Sequence, residues 1–245
     1  MPSSSPLQPL IRSRDAALDL IKWLALLTML IDHLRHAWPA LYFLYVPGRL
    51  AFALFCLAIA ANVARPTVGN ASGLSVRYLG WLLLFSLISE WPYRLLVSNA
   101  ESLNVMPTLV LGLLIANAAQ RSDIQARWLG AGALAVAVLA HEWLMFGAFG
   151  ALLPAAFLLA LRGPRALWLL PMVCCLAANY WAPFYADAAR GDPFAWSVLG
   201  MCLFAPLFGL LLLRHQPPFP VPPVRRWAYL FYPAHFLVLA ALRSL

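Results

Sequence analysis

The chain has 245 residues, of which 63% are hydrophobic and only 11% are charged. A soluble domain carries roughly twice that share of charged residues, and long apolar runs recur from end to end, so a soluble protein with one membrane anchor is excluded. The formal net charge of +8 does not indicate nucleic-acid binding, because the arginines lie at the ends of apolar segments and form no continuous basic surface. We therefore predict an all-α, polytopic integral membrane protein.

Residues 1–17 are rich in proline and serine and have no apolar core, which predicts a short cytoplasmic tail. Residues 18–245 are predicted to form a single transmembrane domain of about nine helices, because apolar runs recur at roughly the length that a bilayer requires. The predicted helices cover 18–38, 46–64, 76–97, 103–120, two short helices within 127–161, 165–185, 194–214 and 226–243, with a loop over 66–75.

Charge placement predicts the orientation. In this arrangement most of the 17 Lys and Arg residues fall on the side of the amino terminus, and the positive-inside rule makes that side cytoplasmic. The proline-rich segment 217–223 then becomes a stiff cytoplasmic connector. If residues 127–161 formed one tilted helix instead of two, every helix after them would be inverted.

The first membrane helix carries a dense ionisable cluster. A charged side chain at the centre of a bilayer costs at least about 2.5–3.5 kcal/mol, so Asp32 and His33 predict a functional site. On a helix, Asp32 shares a face with Arg35 and with His36. Arg35 and His36 could instead simply end the helix among the lipid headgroups.

The next three helices bring further polar side chains to the same depth, toward the outer face. Arg49 could clamp a carboxylate or a phosphate, or could merely extend to the headgroups. Glu90 and Arg94 could pair across one helical turn as part of a site or as a structural ion pair. The candidate substrate-binding residues of these helices are Arg49, Glu90, Tyr93, Arg94, Asn104 and Thr108.

The last helix contains Phe231-Tyr232-Pro233-Ala234-His235 within an otherwise apolar segment. His235 is expected nearer the membrane midplane than His33, with Tyr232 one turn away, and it could be either functional or a hydrogen-bonded packing residue. No set of histidines and cysteines has the spacing of a structural zinc site, so no metal is expected.

Several of these motifs together resemble the TraX family. They are Met29-Leu30-Ile31-Asp32-His33, Gly48-Arg49-Leu50-Ala51-Phe52, Ser89-Glu90-Trp91-Pro92-Tyr93, Leu103-Asn104-Val105 with Thr108 and Gly112, and Phe231-Tyr232-Pro233-Ala234-His235. The name-giving member of that family acetylates the amino terminus of F-type pilin. The resemblance implies a multi-pass acetyltransferase of the bacterial inner membrane that uses acetyl-CoA and has a pilin as its acceptor.

Acetyl transfer needs a base for the acceptor and stabilisation of an oxyanion, and these needs suggest roles for the candidate residues. His33 is the predicted base, with Asp32 orienting it or holding the acceptor ammonium group, and His235 is a second acid or base on the donor side. The predicted oxyanion donors are Arg49, Asn104 or Tyr232. The CoA phosphates would need cytoplasmic arginines, although the positive-inside rule explains these equally well: Arg65, Arg77, Arg225 and Arg226.

Two alternatives remain open at the level of sequence. The acceptor could be a glycan or lipid hydroxyl rather than an amine. The chain could also be a small proton-coupled transporter, because acid–histidine clusters inside membranes also relay protons. The lack of inverted halves is evidence against the transporter.

Overall fold

The computed structural model describes residues 15–65 and 76–244, and every regular element within them is helical, which confirms the all-α prediction for these residues. The predicted tail up to residue 14 and the predicted loop 66–75 lie outside the described residues. The helices are α1 Ala16–Ala37, α2 Tyr45–Ala64, α3 Val76–Leu96, α4 Val105–Gln120, α5 Ile124–Leu139, α6 Gly147–Arg162, α7 Leu169–Ala178, α8 Ala182–Ala189, α9 Pro193–Arg214 and α10 Trp227–Arg243.

Two helical segments of the described chain are long and apolar enough to cross a membrane, Pro39–Ala64 and Pro193–Arg214. A third span is present if Arg165–Ala178 and Ala182–Ala189 count as one broken helix. Three further helices are apolar but shorter: Val105–Gln120, Ile124–Leu139 and Gly147–Arg162. The protein is therefore a membrane protein, while the full count of nine spans stays a prediction.

The single helix predicted over 165–185 is wrong, because the chain bends by 103° between α7 and α8. The side-chain amide of Asn179 donates to the carbonyl of Cys175 at 2.8 Å and so ends α7 at Ala178. Pro183, which has no backbone N–H to donate, then occupies the first turn of α8. An asparagine within an apolar run was the sequence signal for this break.

The prediction that 127–161 forms two helices is confirmed by α5 and α6. The corner between them contains Phe146 in the left-handed region, with φ 71°, a conformation that is rare for bulky residues. The amide of Leu103 donates to the carbonyl of Trp143 at 2.8 Å, which fixes this corner to the connection between α3 and α4.

Asp123 forms the short connection between α4 and α5. Its carboxylate accepts a hydrogen bond from the amide of Ala126 at 2.9 Å and pairs with the guanidinium of Arg121. These two interactions, the amide first, lower the pKa of the Asp123 carboxyl from its ordinary value of 3.8. The carboxylate therefore stays charged and caps α5 at neutral pH.

Helices α1 and α2 run in opposite directions, and their contacts define two ends of the bundle. At the first end, the Asp15 carboxylate before α1 lies 2.6 Å from the Arg65 guanidinium after α2. At the second end, Asp32 near the end of α1 lies 3.5 Å from Arg49 near the start of α2. We call these the first end and the second end throughout.

The last helix runs parallel to the first. The indole of Trp23 donates to the carbonyl of Pro222 at 3.0 Å, and its ring centroid lies 5.2 Å from that of Trp227. The proline-rich connector therefore runs along α1 before α10 begins, so α10 starts beside Trp23 and not beside the start of α1. At its other end, Arg243 donates to the carbonyl of Leu96 at 2.7 Å and ties α10 to α3.

Candidate functional site

Two histidines from the first and the last helix meet inside the bundle. Nδ1 of His33 lies 2.8 Å from Nε2 of His235. The ring of Phe236 contacts both imidazoles, at centroid distances of 4.9 Å and 4.1 Å. His235 is buried, whereas His33 stays partly accessible. The pair is thus a polar centre in which His33 is the more accessible ring.

The partners of His235 assign the hydrogens of the pair. Its Nδ1 lies 3.2 Å from the carbonyl of Phe231, and a carbonyl can only accept, so Nδ1 carries a hydrogen. In a neutral ring, Nε2 of His235 then has none and accepts from Nδ1 of His33. Nε2 of His33 is consequently left with a free lone pair. With both rings neutral, His33 is the member of the pair that can take up a proton at Nε2.

The expectation that His235 lies deeper in the membrane than His33 is wrong. Counting residues from the start of each helix places the two histidines at different depths. Because Trp227 contacts Trp23, α10 begins level with Trp23 and not with the start of α1. This offset brings the two imidazoles to the same level. The two imidazoles are in direct contact, and the role of His235 as a second acid or base on the donor side stays a prediction.

Asp32 lies one residue before His33 and forms a buried ion pair. Its carboxylate accepts from Nε of Arg35 at 3.1 Å and lies 3.5 Å from Nη2 of Arg49, and both Asp32 and Arg49 are only 8% exposed. Arg49 is held from the other side by the carboxamide oxygen of Asn179 at 2.8 Å and by the ring of Tyr45 at 3.8 Å. The guanidinium is therefore fixed between Asp32, Asn179 and Tyr45 and does not extend to the membrane surface.

Sequence reasoning missed Tyr45 and Asn179 as partners of Arg49. Asn179 lies 130 positions further along the chain than Arg49. A polar residue that interrupts an apolar helix was the available signal, since an intramembrane amide needs a partner.

Glycine at position 48 lets α1 and α2 approach closely at the ion pair. A Cβ on Gly48 would lie 2.5 Å from both Cβ and Oδ1 of Asp32. We expect Gly48→Ala to lower the free energy of unfolding by about 1–3 kcal/mol, because Asp32 belongs to a helix and cannot move away freely. Gly80→Ala is the matched control, since nothing lies within 4 Å of its Cβ position, and it should stabilise α3 by about 0.5–1 kcal/mol.

Thermal unfolding of the two purified variants beside wild type measures this difference. Equal stability of the two variants would contradict the close contact between Gly48 and Asp32.

Glu90, Arg94 and Asn104 form a closed network where α3 meets α4. The Glu90 carboxylate pairs with Arg94 at 2.7 Å and accepts from the side-chain amide of Asn104 at 2.8 Å. That amide also donates to the carbonyl of Ser86 at 2.8 Å, and the Asn104 oxygen caps α4 at Met106. Both amide hydrogens of Asn104 are therefore engaged within the fold, which leaves Arg49 and Tyr232 as the freer of the predicted oxyanion donors.

The other predicted residues of this region lie around the same core. The Tyr232 hydroxyl accepts from the amide of Val105 at 3.4 Å, so its own hydrogen can still be donated. Tyr93 packs edge-on against Phe236 at 5.6 Å. Thr108 donates to the carbonyl of Met145 at 2.7 Å and so ties α4 to the corner before α6.

The four predicted cofactor arginines all lie at the first end but in different surroundings. Arg65 is paired with Asp15, and Arg77 is exposed at the start of α3. Arg225 and Arg226 line a cavity of about 360 Å³. A second cavity of about 520 Å³ lies at the second end, between the α5–α6 corner and the α7–α8 break. Within the described residues, no group of three or more His, Cys, Asp or Glu side chains could hold a metal ion.

The fold and the site define a helical membrane protein with a buried acid–arginine pair beside two hydrogen-bonded histidines. The sequence profile of the family described as TraX protein matches residues 17–243, and the chain belongs to the TraX family. This match confirms the resemblance inferred from the motifs. No curated protein and no solved structure matches the chain significantly.

Proposed function

We propose that this protein is a membrane acetyltransferase that moves an acetyl group from acetyl-CoA to the amino-terminal amine of a pilin. The observation that carries the proposal is the contact of His33 with His235, which leaves one basic nitrogen directed away from the pair. Membership of the TraX family supports the acceptor and the chemistry.

The residues of the site suggest a balanced reaction. Asp32 holds the acceptor ammonium group, which first gives one proton to water and becomes the neutral amine. Nε2 of His33 then removes a second proton as the amine nitrogen attacks the thioester carbonyl. The hydrogen on Nδ1 of His33 then passes to Nε2 of His235, so the positive charge moves to the last helix. When the C–N bond has formed and the C–S bond breaks, the CoA thiolate leaves and takes up that proton.

The developing oxyanion needs fixed donors in a site from which water is excluded. The guanidinium of Arg49 is held in place by Tyr45 and Asn179, so it requires little reorganisation during the reaction. The hydroxyl of Tyr232, one turn before His235, is the second donor.

The orientation of the protein in the membrane follows from the placement of its Lys and Arg residues. The first end carries Lys22, Arg121, Arg127, Arg225 and Arg226, and we place it in the cytoplasm of a bacterial cell by the positive-inside rule. The acyl donor then comes from the cytoplasm, and the acceptor amine reaches the site from the outer face of the inner membrane. About nine membrane crossings satisfy this arrangement.

The test is turnover of acetyl-CoA by detergent-purified protein with a pilin-like amino-terminal peptide as acceptor. We expect release of free CoA together with a peptide whose mass has increased by one acetyl group. If acetyl is transferred only to a sugar or lipid hydroxyl, the protein is still an acetyltransferase, but its acceptor is that hydroxyl and not a pilin. No CoA release by folded protein with any acceptor would contradict the enzyme and favour a proton-coupled carrier.

A further inference from the structure

The cavity at the first end is an apolar passage between α1, α2, α3, α4 and α10. Its volume is about 360 Å³, within the range of about 300–1,000 Å³ that is usual for small-molecule sites. Its wall includes Leu26, Ile59, Leu82 and Leu109, together with three tyrosines, Tyr78, Tyr229 and Tyr232. Such a wall suits a long, uncharged chain better than a compact polar molecule.

Three cationic side chains border this cavity: Lys22, Arg225 and Arg226. Among the described residues that line it, none is acidic. Asp19 lies just outside, 3.5 Å from the Lys22 ammonium, and offsets part of that charge. The positive-inside rule explains why basic residues lie at this end, but it does not explain why three of them converge on one cavity.

The cavity extends from these cations to Tyr232, whose ring centroid lies 5.6 Å from that of His235. Tyr232 lines its inner part and is one helical turn from His235. Arg226 and His235 are separated along α10 by roughly 14 Å at 1.5 Å per residue. A ligand with phosphate at the basic border and an extended arm in the cavity would therefore present the end of that arm to the histidines.

We propose that this cavity is the donor site, which binds a phosphate-bearing molecule with a long uncharged arm, as CoA thioesters are. The inference rests on the proposed function. Lys22, Arg225 and Arg226 bind the phosphates, the pantetheine arm occupies the cavity, and the thioester lies beside Tyr232 and His235. The cavity is too small for the whole of CoA, so the nucleotide stays at the first end in water.

This assignment divides the cations of the first end into two groups. Lys22, Arg225 and Arg226 contact the donor, whereas Arg65 is occupied by Asp15 and does not line the cavity. Lys22 has no special feature in the sequence, because a lone lysine in the first helix is explained by the positive-inside rule alone.

Binding of desulfo-CoA, which cannot be acetylated, tests the inference on the purified full-length protein by titration calorimetry. The variant Lys22→Gln/Arg225→Gln/Arg226→Gln should raise the Kd by about 100-fold or more, since each lost charge-assisted hydrogen bond contributes about tenfold. The control Arg127→Gln/Arg162→Gln/Arg165→Gln removes the same charge from exposed positions at the same end and should leave the Kd unchanged.

A second variant tests binding of the pantetheine arm in the cavity separately from binding of the phosphates by the basic residues. Ala228 lines the cavity, and Ala228→Phe should fill it and weaken binding of desulfo-CoA at least about tenfold while the basic residues stay intact. Pantetheine, which has the arm without the phosphates, should be excluded by Ala228→Phe but be insensitive to the triple Gln variant.

The results separate this inference from the proposed function. If wild type transfers acetyl groups and the triple Gln variant binds desulfo-CoA as the control does, the donor site is wrong and the enzyme stands. If wild type binds desulfo-CoA in this cavity but transfers nothing, the site stands and the enzyme is wrong. If the cavity binds phosphatidylglycerol and does not bind desulfo-CoA, it is a lipid site and the inference is overturned.

Discussion

Replacing His33 with alanine should lower the rate of acetyl transfer by about 10²- to 10⁴-fold, the usual contribution of a general base. The variant loses the only nitrogen of the pair that has a free lone pair when both rings are neutral, while the ion pair of Asp32 with Arg49 is left in place. Turnover of acetyl-CoA with the pilin-like peptide measures the loss. Full activity of His33→Ala, with the protein shown to be folded, would reject the assigned base.

Variants of His235 separate two roles of its ring, which are to accept the hydrogen bond from His33 and to take up a proton. In His235→Gln, the side-chain oxygen can still accept a hydrogen bond from Nδ1 of His33. This variant therefore preserves the tautomer of His33, but the new side chain cannot take up a proton. We expect His235→Gln to be slower than wild type and His235→Ala to be slower still. The double variant with His33→Ala should be little worse than His33→Ala alone, because residues that act as one unit are not additive.

The matched control for these variants is His215→Ala. His215 is exposed after α9, at the first end, and Nδ1 of its ring lies 2.8 Å from the carbonyl of Leu211. Its removal should leave the rate unchanged. A similar loss in the control would mean that the assay reports general damage to the protein.

The second large effect concerns stability. Arg49→Ala should lower the free energy of unfolding by about 3 kcal/mol, because it leaves the buried Asp32 carboxylate with Arg35 as its remaining partner. Replacing both members, as in Asp32→Asn/Arg49→Gln, should cost less than the sum of the single changes. Denaturant unfolding in mixed micelles, arranged as a double-mutant cycle, measures the coupling.

An exposed ion pair provides the control for this cycle. Arg190 lies 3.0 Å from Asp187, but its side chain is 76% exposed. Arg190→Ala should therefore change the free energy of unfolding by less than about 1 kcal/mol. Equal effects of Arg49→Ala and Arg190→Ala would contradict the buried, interlocked position of Arg49.

Local contacts could be predicted from the sequence because helical spacing alone determines them. Asp32 with Arg35, and Glu90 with Arg94, are three and four residues apart and pair as expected. The division of 127–161 into two helices followed from its length and from the polar residues in its middle. These predictions need no knowledge of how one helix lies against another.

The contacts between distant helices could not be predicted in the same way. The level of His235 depends on how far the proline-rich connector runs along α1, and one hydrogen bond from Trp23 to Pro222 marks that position. The partner of Arg49, Asn179, becomes available only because the chain bends sharply between α7 and α8. Periodicity reports which face of a helix is polar, but not which residue that face meets.

The parallel contact of α1 with α10 also determines when the site can form during biosynthesis. His33 enters the membrane with the first helix, whereas His235 follows only with the last, after all the helices between them. A nascent chain that ends at Arg214 would contain Asp32, Arg49 and His33 but no partner for the imidazole. The histidine pair is therefore completed only by the last helix, so a prematurely truncated protein would be inserted without this pair.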